Sequence, residues 1–481
     1  MKALLTLLCV LAVAGCSSFS SVIQARLEQP GLEGTRWGLV VLTMDGRELV
    51  SVNPDQRFLP ASNTKLFTAA AAFFAIDDMT LPDPARGTSV LLSPHAYGPP
   101  DVILRGAGDP MLNDAPDCVR DCLQELADMV SANGLKRIGR VIADASFLPH
   151  EPWPPGWSQD DLVTRSGAPV SALSLNSNEL HLTIRPGPVP GAPATIDWSG
   201  GEASGVIRND IVTRTGDEET MDIRAERTPG SGELRLYGEI RLGSLAIERI
   251  VAVDEPALVA GRRFERLLAE RGVVADLPAV QRLRPVSNTG EDVGRTGLKA
   301  VEIGRLVAPP LADNVTFLMK ESQNLHSELL LRRIGLVSGD GSREAGLAVV
   351  EAMLSEAEVP RWAWDLSDGS GMSVYNRLTP RMTAQFLLWT AQQSWGEAFR
   401  TALPVGGVDG TLQRRFSGTP LAGRIFAKTG TLRGTNGLSG FMMTRGGEML
   451  VFSAFANERP SNAPSATARI DAALLAVSEN R

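Results

Sequence analysis

The sequence predicts an α+β fold in which an antiparallel sheet carries helices and is interrupted by a long insertion. Short strands with tight turns occur near both ends of the chain, and helical patterns follow them. The middle of the chain changes to short strands and Pro/Gly turns. Because the C-terminal strands need neighbours and the N-terminal hairpin can supply them, we expect one sheet from both ends, with the middle inserted between them.

The first element is a hairpin. Residues 37–44 read as a strand, Asp45-Gly46 is a strong turn signal, and residues 47–52 return as the second strand.

A buried helix is expected next, starting near Ser62, which occupies a cap or first-turn position. The apolar run after Lys65 is continuous rather than striped, as in a helix covered on all sides. Lys65 lies three residues after Ser62, so its amine comes within reach of the hydroxyl on the same helix face. Burial there would lower the lysine pKa and make the amine a usable base.

The middle of the chain is predicted to be largely β-structure. A strand at residues 101–105 and a helix at 122–134 precede a rigid aromatic and acidic loop at 153–161. Further strands are expected at 181–185, 205–213 and 233–240, before a helix at 256–271.

The C-terminal part is again mixed. We expect helices at residues 315–333, 378–395 and 465–477, a strand at 424–431, and a hairpin of strands 440–445 and 449–456.

The N-terminus is typical of an exported protein. Residues 1–15 form a signal segment whose apolar run is too short to span a bilayer. Small residues before Cys16 resemble the bacterial lipobox, which implies that Cys16 is acylated and holds the protein on a membrane. Ser17 after this cysteine suggests the outer membrane, and hence a periplasmic location. The alternative is an ordinary secretory signal with Cys16 incidental.

Cys118 and Cys122 are then the remaining close cysteine pair of the exported chain. In an oxidising compartment we expect them to form a disulfide, and the alternative is two free thiols on one helical face. The four histidines show no ligand spacing and no second cysteine pair exists, so no metal or other cofactor is expected.

The overall composition excludes several function classes. A net charge of -8 without a basic run argues against nucleic acid as a partner. Aromatic residues make up only 5%, which weakens a carbohydrate-stacking role. The chain of 481 residues is long enough for about two or three domains.

Three short motifs carry the candidate chemistry: Ser62-Asn63-Thr64-Lys65, Ser322-Gln323-Asn324 and Lys428-Thr429-Gly430. Each motif is weak evidence alone, because S-x-x-K is a short pattern. Together and in this order they match the set of penicillin-binding proteins and class A β-lactamases, with Gln323 in place of an aspartate. Two of the chain's six lysines fall on the required positions.

The resemblance extends over nearly the whole mature chain. Four more segments, at residues 105–110, 168–176, 368–371 and 407–412, resemble the D-alanyl-D-alanine carboxypeptidase/endopeptidase family of class C, low-molecular-mass penicillin-binding proteins. That family carries a long insertion between its first two motifs. Here 322 minus 65 gives a gap of 257 positions, which argues against a class A β-lactamase. The lipobox departs from typical members of the family.

The resemblance implies a penicillin-binding, transpeptidase-like domain at residues 21–82 and 283–481. It also implies an inserted domain at 83–175 and 244–282, and a nested β-rich domain at 176–243.

The resemblance also implies the roles of the motif residues. Ser62 would be the nucleophile, Lys65 its base, and Ser322 a proton relay. Substrate would be held by Asn324, Lys428, Thr429, Gly430 and Thr431. In the insertion, Asp161, with Asp160 as the alternative, would contact the amine of diaminopimelate, although a turn-capping role explains either residue equally well.

The predicted protein is an exported serine DD-peptidase that acts on peptidoglycan stem peptides and cross-links, with β-lactams as covalent inhibitors. The alternatives are a β-lactamase or esterase, or an inactive lipid-anchored wall-binding protein that keeps the fold. Carboxypeptidase and endopeptidase action use one site, so the sequence does not separate them.

Overall fold

A computed structural model describes residues 19–84, 86–199, 205–216, 222–285 and 300–481. The predicted signal segment and Cys16 lie outside the described residues. Within the described ranges, every helix is too short or too polar to cross a bilayer.

Runs of strands are separated by helices along the described chain. The strands are β1 (Arg36–Thr43), β2 (Glu48–Val52), β3 (Ser89–Ser93), β4 (Asp101–Arg105), β5 (Arg137–Ile138), β6 (Val141–Pro149), β7 (Glu179–Arg185), β8 (Thr195–Ser199), β9 (Val206–Arg214), β10 (Ile223–Glu226), β11 (Glu233–Arg241), β12 (Ile247–Ala252), β13 (Val274–Ala275), β14 (Val280–Arg284), β15 (Val301–Arg305), β16 (Trp364–Asp365), β17 (Arg377–Leu378), β18 (Ile425–Leu432), β19 (Thr435–Met443) and β20 (Met449–Asn457). The helices are α1 (residues 19–27), α2 (Lys65–Ala75), α3 (Leu123–Ala132), α4 (Pro256–Glu270), α5 (Leu311–Glu321), α6 (Asn324–Gly335), α7 (Arg343–Glu356), α8 (Pro380–Gln392), α9 (Gly396–Ala402) and α10 (Thr467–Glu479).

The described chain divides into two compact units. The first unit comprises the described part of Met1–Asp77 together with Val315–Gln323 and Leu347–Arg481. The second unit comprises Asp78–Asn314 and Asn324–Gly346. The three-domain division expected from the sequence stays a prediction.

The first unit is organised around a five-stranded antiparallel sheet in the order β18-β19-β20-β1-β2. β1 pairs with β20 along its whole length, from Arg36 opposite Asn457 to Thr43 opposite Leu450. The expected sheet built from both ends of the chain is therefore confirmed.

Helices cover this sheet because its strands alternate apolar side chains between two faces. Leu39 and Val41 share a buried core with Leu474 of α10. Val40 and Leu42 point the other way and pack with Ala384 of α8. Burial of each Val or Leu side chain here contributes roughly 1.5–3 kcal/mol of hydrophobic stabilisation.

The second unit contains a five-stranded mixed sheet, in the order β14-β6-β4-β3-β15, and two three-stranded sheets. Helices α3 and α4 share the core of the five-stranded sheet, with Phe264 and Leu126 fully buried. The three-stranded sheets, β10-β11-β9 and β12-β7-β8, share a separate core of aliphatic side chains. β12, which lies beyond residue 243, pairs with β7.

Two helix expectations need correction. The predicted helix over residues 315–333 is two helices, α5 and α6, separated at Ser322 and Gln323. Ser322 has a φ of 58°, a left-handed conformation that ends α5. The predicted helix start at Ser62 is a 3₁₀ turn, Ala61–Thr64, and the α-helix begins at Lys65.

Candidate active site

Ser62 lies in the tight turn that precedes α2. The turn is fixed from two sides by close backbone approaches, and Ala61 within it has a φ of 49°. A Cβ atom at Gly371 would lie 2.0 Å from the Ala61 carbonyl oxygen, and one at Gly430 would lie 2.7 Å from that of Pro60. These glycines allow the backbone to hold the serine in one place.

Lys65 is the first residue of α2 and is fully buried. Its Nζ donates to the Ser62 Oγ at 3.0 Å and to the carbonyl oxygen of Ser370 at 2.7 Å. The i, i+3 spacing therefore places the amine against the hydroxyl, as a base for that hydroxyl requires.

A loop closed by the Asp368 carboxylate presents the Ser370 carbonyl to Lys65. Asp368 is almost completely buried and accepts hydrogen bonds from Gly371 N at 2.9 Å, Ser373 N at 2.6 Å and Asn376 Nδ2 at 2.7 Å. Donors around a buried carboxylate offset the cost of its desolvation. Asp368 therefore fixes the acceptor that orients the lysine.

Ser322 and Lys428 form a second hydroxyl–amine pair in the same unit. Lys428 Nζ donates to the Ser322 Oγ at 2.8 Å and to the Thr429 carbonyl oxygen at 3.0 Å. Lys428 is fully buried, and burial first and the nearby Lys65 second hold its pKa well below the ordinary lysine value. Burial thus disfavours the charged form of this amine in the absence of a bound anion.

Lys320, two residues before Ser322 in the last turn of α5, holds this end of the helix in place. Lys320 Nζ donates to the Leu403 carbonyl oxygen at 2.6 Å and to the Asp409 carboxylate at 2.7 Å. Two residues after Asp409, the Thr411 hydroxyl accepts a hydrogen bond from the Thr429 hydroxyl at 2.8 Å. The segment around Asp409 therefore connects the end of α5 to β18.

β18 carries Lys428, Thr429, Gly430 and Thr431 and forms one edge of the five-stranded sheet. On its inner side these residues pair with β19, for example Lys428 with Ser439 and Thr431 with Asn436. An edge strand offers backbone groups that can pair with an extended peptide.

Asn324 and Asp161 belong to the second unit. Asn324 begins α6, and its Nδ2 donates to the Ser166 carbonyl oxygen at 2.9 Å. Asp161 ends a short 3₁₀ turn and is half-buried, and burial first and Asp160 second raise the pKa of its carboxyl. The first unit thus brings together Ser62, Lys65, Ser322 and the β18 residues.

The second unit also holds the cysteine pair. Cys118 and Cys122 are joined by a disulfide, with Cα atoms 5.7 Å apart. Among the described residues, no group of three or more His, Cys, Asp or Glu side chains could hold a metal ion.

Sequence reasoning did not assign roles to Asp368, Ser370, Lys320 or Asp409. Asp368, Ser370 and Asp409 lie in segments that supported the family resemblance. The signal that could have identified them is an aspartate within a glycine-containing segment, Asp368-Gly-Ser-Gly371 and Gly407-Val-Asp409-Gly, since such aspartates commonly fix turns.

The fold and the site are those of a serine hydrolase of the acyl-transfer type, with a buried lysine amine on the helix that Ser62 precedes. The chain belongs to the D-Ala-D-Ala carboxypeptidase 3 (S13) family, whose model matches residues 19–477. The family inferred from the motifs is therefore confirmed.

Individual relatives agree with this assignment. The chain is 33% identical over 470 residues to a D-alanyl-D-alanine carboxypeptidase of Actinomadura sp., covering 92% of this chain and 82% of the relative. It is 23% identical to the D-alanyl-D-alanine carboxypeptidase DacB of Haemophilus influenzae, over 92% and 89% of the two chains. The crystal structure of penicillin binding protein 4 from that organism superimposes with a TM-score of 0.81 at 22% identity, covering 95% of this chain and 98% of the other. That structural similarity confirms the predicted α+β fold.

Proposed function

We propose that this protein is a serine D-alanyl-D-alanine carboxypeptidase that acts on peptidoglycan stem peptides through an acyl-enzyme on Ser62. The observation that carries the proposal is the 3.0 Å hydrogen bond between Lys65 Nζ and the Ser62 hydroxyl at a buried position. Family membership and the Actinomadura relative support the same reaction.

In the acylation step, Ser62 Oγ attacks the carbonyl carbon between two D-alanines while neutral Lys65 accepts the hydroxyl proton. The backbone N–H groups of Ser62 and Thr431 stabilise the oxyanion. The C–N bond then breaks, and Ser322 relays a proton to the leaving amine of D-alanine. Water hydrolyses the ester and releases the shortened peptide.

Lys428, Thr429, Gly430 and Thr431 form the proposed carboxylate subsite. An arriving carboxylate supplies the negative charge that a buried amine needs, and it raises the pKa of Lys428 from its depressed value. The substrate backbone pairs with the edge of β18, as an extended peptide does when it adds to a sheet. Asn324 holds the peptide by its side-chain amide.

Asp161 is the proposed partner of the diaminopimelate amine, with Asp160 as the alternative. A carboxylate that is half-buried and carries a raised pKa gains most from a cation, because an ammonium group offsets its desolvation. A substrate series with and without the free amine tests the role. Equal kcat/KM ratios in wild type and Asp161→Ala would refute it.

The same site serves endopeptidase action, because only the leaving group changes when the cleaved bond is a cross-link. We propose both activities and an extracytoplasmic location, which the substrate requires. We also propose acylation of Cys16, a periplasmic location on the outer membrane, and the three-domain division with a nested β-rich domain. Mass spectrometry of the mature N-terminus tests the anchor, and an unacylated chain would refute it.

The central test has two readouts. Intact-mass spectrometry after incubation with penicillin should show one adduct on wild type and none on Ser62→Ala, whereas Ser417→Ala, an exposed serine in the same unit, serves as the matched control. Purified protein is then incubated with isolated peptidoglycan. Conversion of pentapeptides to tetrapeptides indicates carboxypeptidase action, and conversion of dimers to monomers indicates endopeptidase action.

The alternative functions predict different results. A β-lactamase would release the penicillin adduct rapidly, and an inactive wall-binding protein would leave muropeptides unchanged in wild type and Ser62→Ala alike. A penicillin adduct that persists on Ser62→Ala would refute the proposed nucleophile.

A further inference from the structure

A pocket of about 680 Å³ lies in the first unit and is lined by segments that adjoin the proposed site. Leu59 lies three residues before Ser62, and Arg433 lies two residues after Thr431. Arg377 follows the loop that Asp368 closes. The volume lies in the range of pockets that hold small ligands.

Four arginines line this pocket, and one carboxylate accompanies them. That carboxylate, Glu458, forms an ion pair with Arg36 at 3.2 Å. Arg36 also donates to the Arg57 carbonyl oxygen at 3.0 Å. The charge of Arg36 is therefore already balanced.

The other three arginines have no ion pair with a described residue. Arg377 donates from Nη1 to the carbonyl oxygens of Val374 and Asn376, both at 2.7 Å. Arg459 donates from Nη1 to the carbonyl oxygens of Pro460, at 3.1 Å, and Ala463. Carbonyl acceptors orient a guanidinium group but leave its charge unneutralised.

Arg433 is exposed in the turn between β18 and β19, and it makes no hydrogen bond or ion pair to a described residue through its side chain. The pocket therefore concentrates three uncompensated positive charges in a protein whose net charge is -8. Such a local excess of one sign attracts anions.

The backbone around the pocket is held in place. Asn457 accepts a hydrogen bond from Leu59 N at 2.6 Å and donates to the Leu59 carbonyl oxygen at 3.1 Å. Arg459 N, just after β20, donates to the carbonyl oxygen of Gly434 in the β18–β19 turn at 3.1 Å. Such preorganisation lowers the entropic cost of binding.

We propose that this pocket binds a carboxylate of the peptidoglycan stem peptide other than the terminal one held by β18. The inference rests on the proposed function, because the stem peptide is the anion that the neighbouring site presents. Guanidinium groups match the planar geometry of carboxylates, and each charged hydrogen bond adds to both affinity and selectivity.

The experiment compares two pentapeptides that end in D-Ala-D-Ala. They differ only in whether the D-glutamate α-carboxylate is free or converted to a carboxamide. KM and kcat for D-alanine release are measured for wild type, the Arg377→Gln/Arg433→Gln double variant, and Arg445→Gln. Arg445 is the matched control, because it is an exposed arginine in the turn at the other end of β19 and lies outside the pocket lining.

In wild type we expect KM for the free carboxylate to be about tenfold lower than for the carboxamide, with similar kcat. The double variant should reduce this ratio to near one, and Arg445→Gln should keep it. Equal KM values in wild type, a preserved ratio in the double variant, or an equal loss in Arg445→Gln would each overturn the proposal.

Direct binding measurements test the pocket independently of the proposed reaction. If wild type cleaves neither peptide, the proposed function fails, and isothermal calorimetry with the same two peptides decides the pocket alone. The pocket proposal is supported if wild type binds the free-carboxylate peptide more tightly than the carboxamide and the double variant does not. Tighter binding of glycerol phosphate than of the carboxylate peptide would overturn it in favour of a phosphate-bearing ligand.

Discussion

Each unit buries a pair of side chains of the same charge type, and the two pairs differ in the groups that they contact. In the first unit, Lys65 and Lys428 are fully buried and each donates to a serine hydroxyl. In the second unit, Asp109 and Asp121 are also buried. Burial first raises the pKa of both carboxyls, and the neighbouring Asp109 helps to raise that of Asp121 to about 8.

The difference lies in what the two pairs contact. The two amines contact serine hydroxyls, Lys65 that of Ser62 and Lys428 that of Ser322, so both pairs lie where proton transfer and substrate binding are proposed. Asp109 accepts a hydrogen bond from Met111 N at 2.9 Å, and Asp121 lies between the two disulfide cysteines in sequence. The first pair therefore fits the proposed chemistry, and the second is expected to make local stability depend on pH. Strong burial of charge alone does not mark an active site.

The largest effect on penicillin acylation should come from removing the Lys65 amine. We expect Lys65→Met to lower the second-order rate of penicillin acylation by about 10³-fold or more, because Ser62 then lacks its proposed base. Stopped-flow or quenched mass spectrometry measures this rate. Lys136→Met, at an exposed lysine of the second unit, is the control and should acylate normally. A rate within tenfold of wild type would contradict the assignment of the base.

The role of Lys428 should appear in the pH dependence of KM. Because the pKa of Lys428 is depressed, its proton is lost at lower pH than for an ordinary lysine. KM for a D-Ala-D-Ala peptide should therefore rise with pH as Lys428 is neutralised, while kcat changes less. Lys428→Met should raise KM by about tenfold even at neutral pH, since charged hydrogen bonds are lost. An unchanged KM in this variant would separate Lys428 from carboxylate binding.

The disulfide beside the carboxyl pair should have a moderate effect. It closes a loop with a sequence separation of 4. Replacing both cysteines by serine should lower the free energy of unfolding of the second unit by about 2 kcal/mol, because the unfolded chain is less constrained. Thermal unfolding with and without reductant measures the loss. Equal stability of wild type and variant in the absence of reductant would contradict it.

Removing the Asp121 carboxylate should have the smallest effect, and it should raise rather than lower the free energy of unfolding. A raised acid pKa means that the folded protein keeps a proton that the unfolded chain has released, so stability falls as pH rises from about 4 to about 8. Asp121→Asn removes this dependence and should stabilise the protein by about 1 kcal/mol at pH above 8.

Thermal unfolding of this variant between pH 5 and 9 is the measurement. Asp117→Asn, at an exposed aspartate of the same segment, should follow the wild-type pH profile. Parallel profiles for Asp121→Asn and wild type would show that the carboxyl pair does not titrate in this range.

Local sequence signals predicted much of the fold. The Asp45-Gly46 turn and the alternating strands around it identified the hairpin, and the need for partners placed β20 beside β1. The break at Ser322 could not be predicted, because no Gly or Pro interrupts the helical pattern there. The break is stabilised by contacts distant in sequence, such as Lys320 with Asp409.

The site was predictable to the extent that side-chain types encode it. Ser62 and Lys65 follow from helical spacing. The Ser370 carbonyl that orients Lys65 is 305 positions away and is a backbone group, so residue identity says nothing of it. The arginine pocket is assembled from five separate segments and likewise has no local pattern.

The pairing of β1 with β20 also sets the order in which the protein becomes active during synthesis. Ser62 and Lys65 leave the ribosome early, yet β18, β19 and β20 follow more than 350 residues later. At about 5–20 residues per second, that delay lasts from tens of seconds to more than a minute. Throughout it the sheet lacks three of its five strands, and Lys428 does not yet exist. Ser62 and Lys65 therefore stay without the β18 residues until that strand has been synthesised.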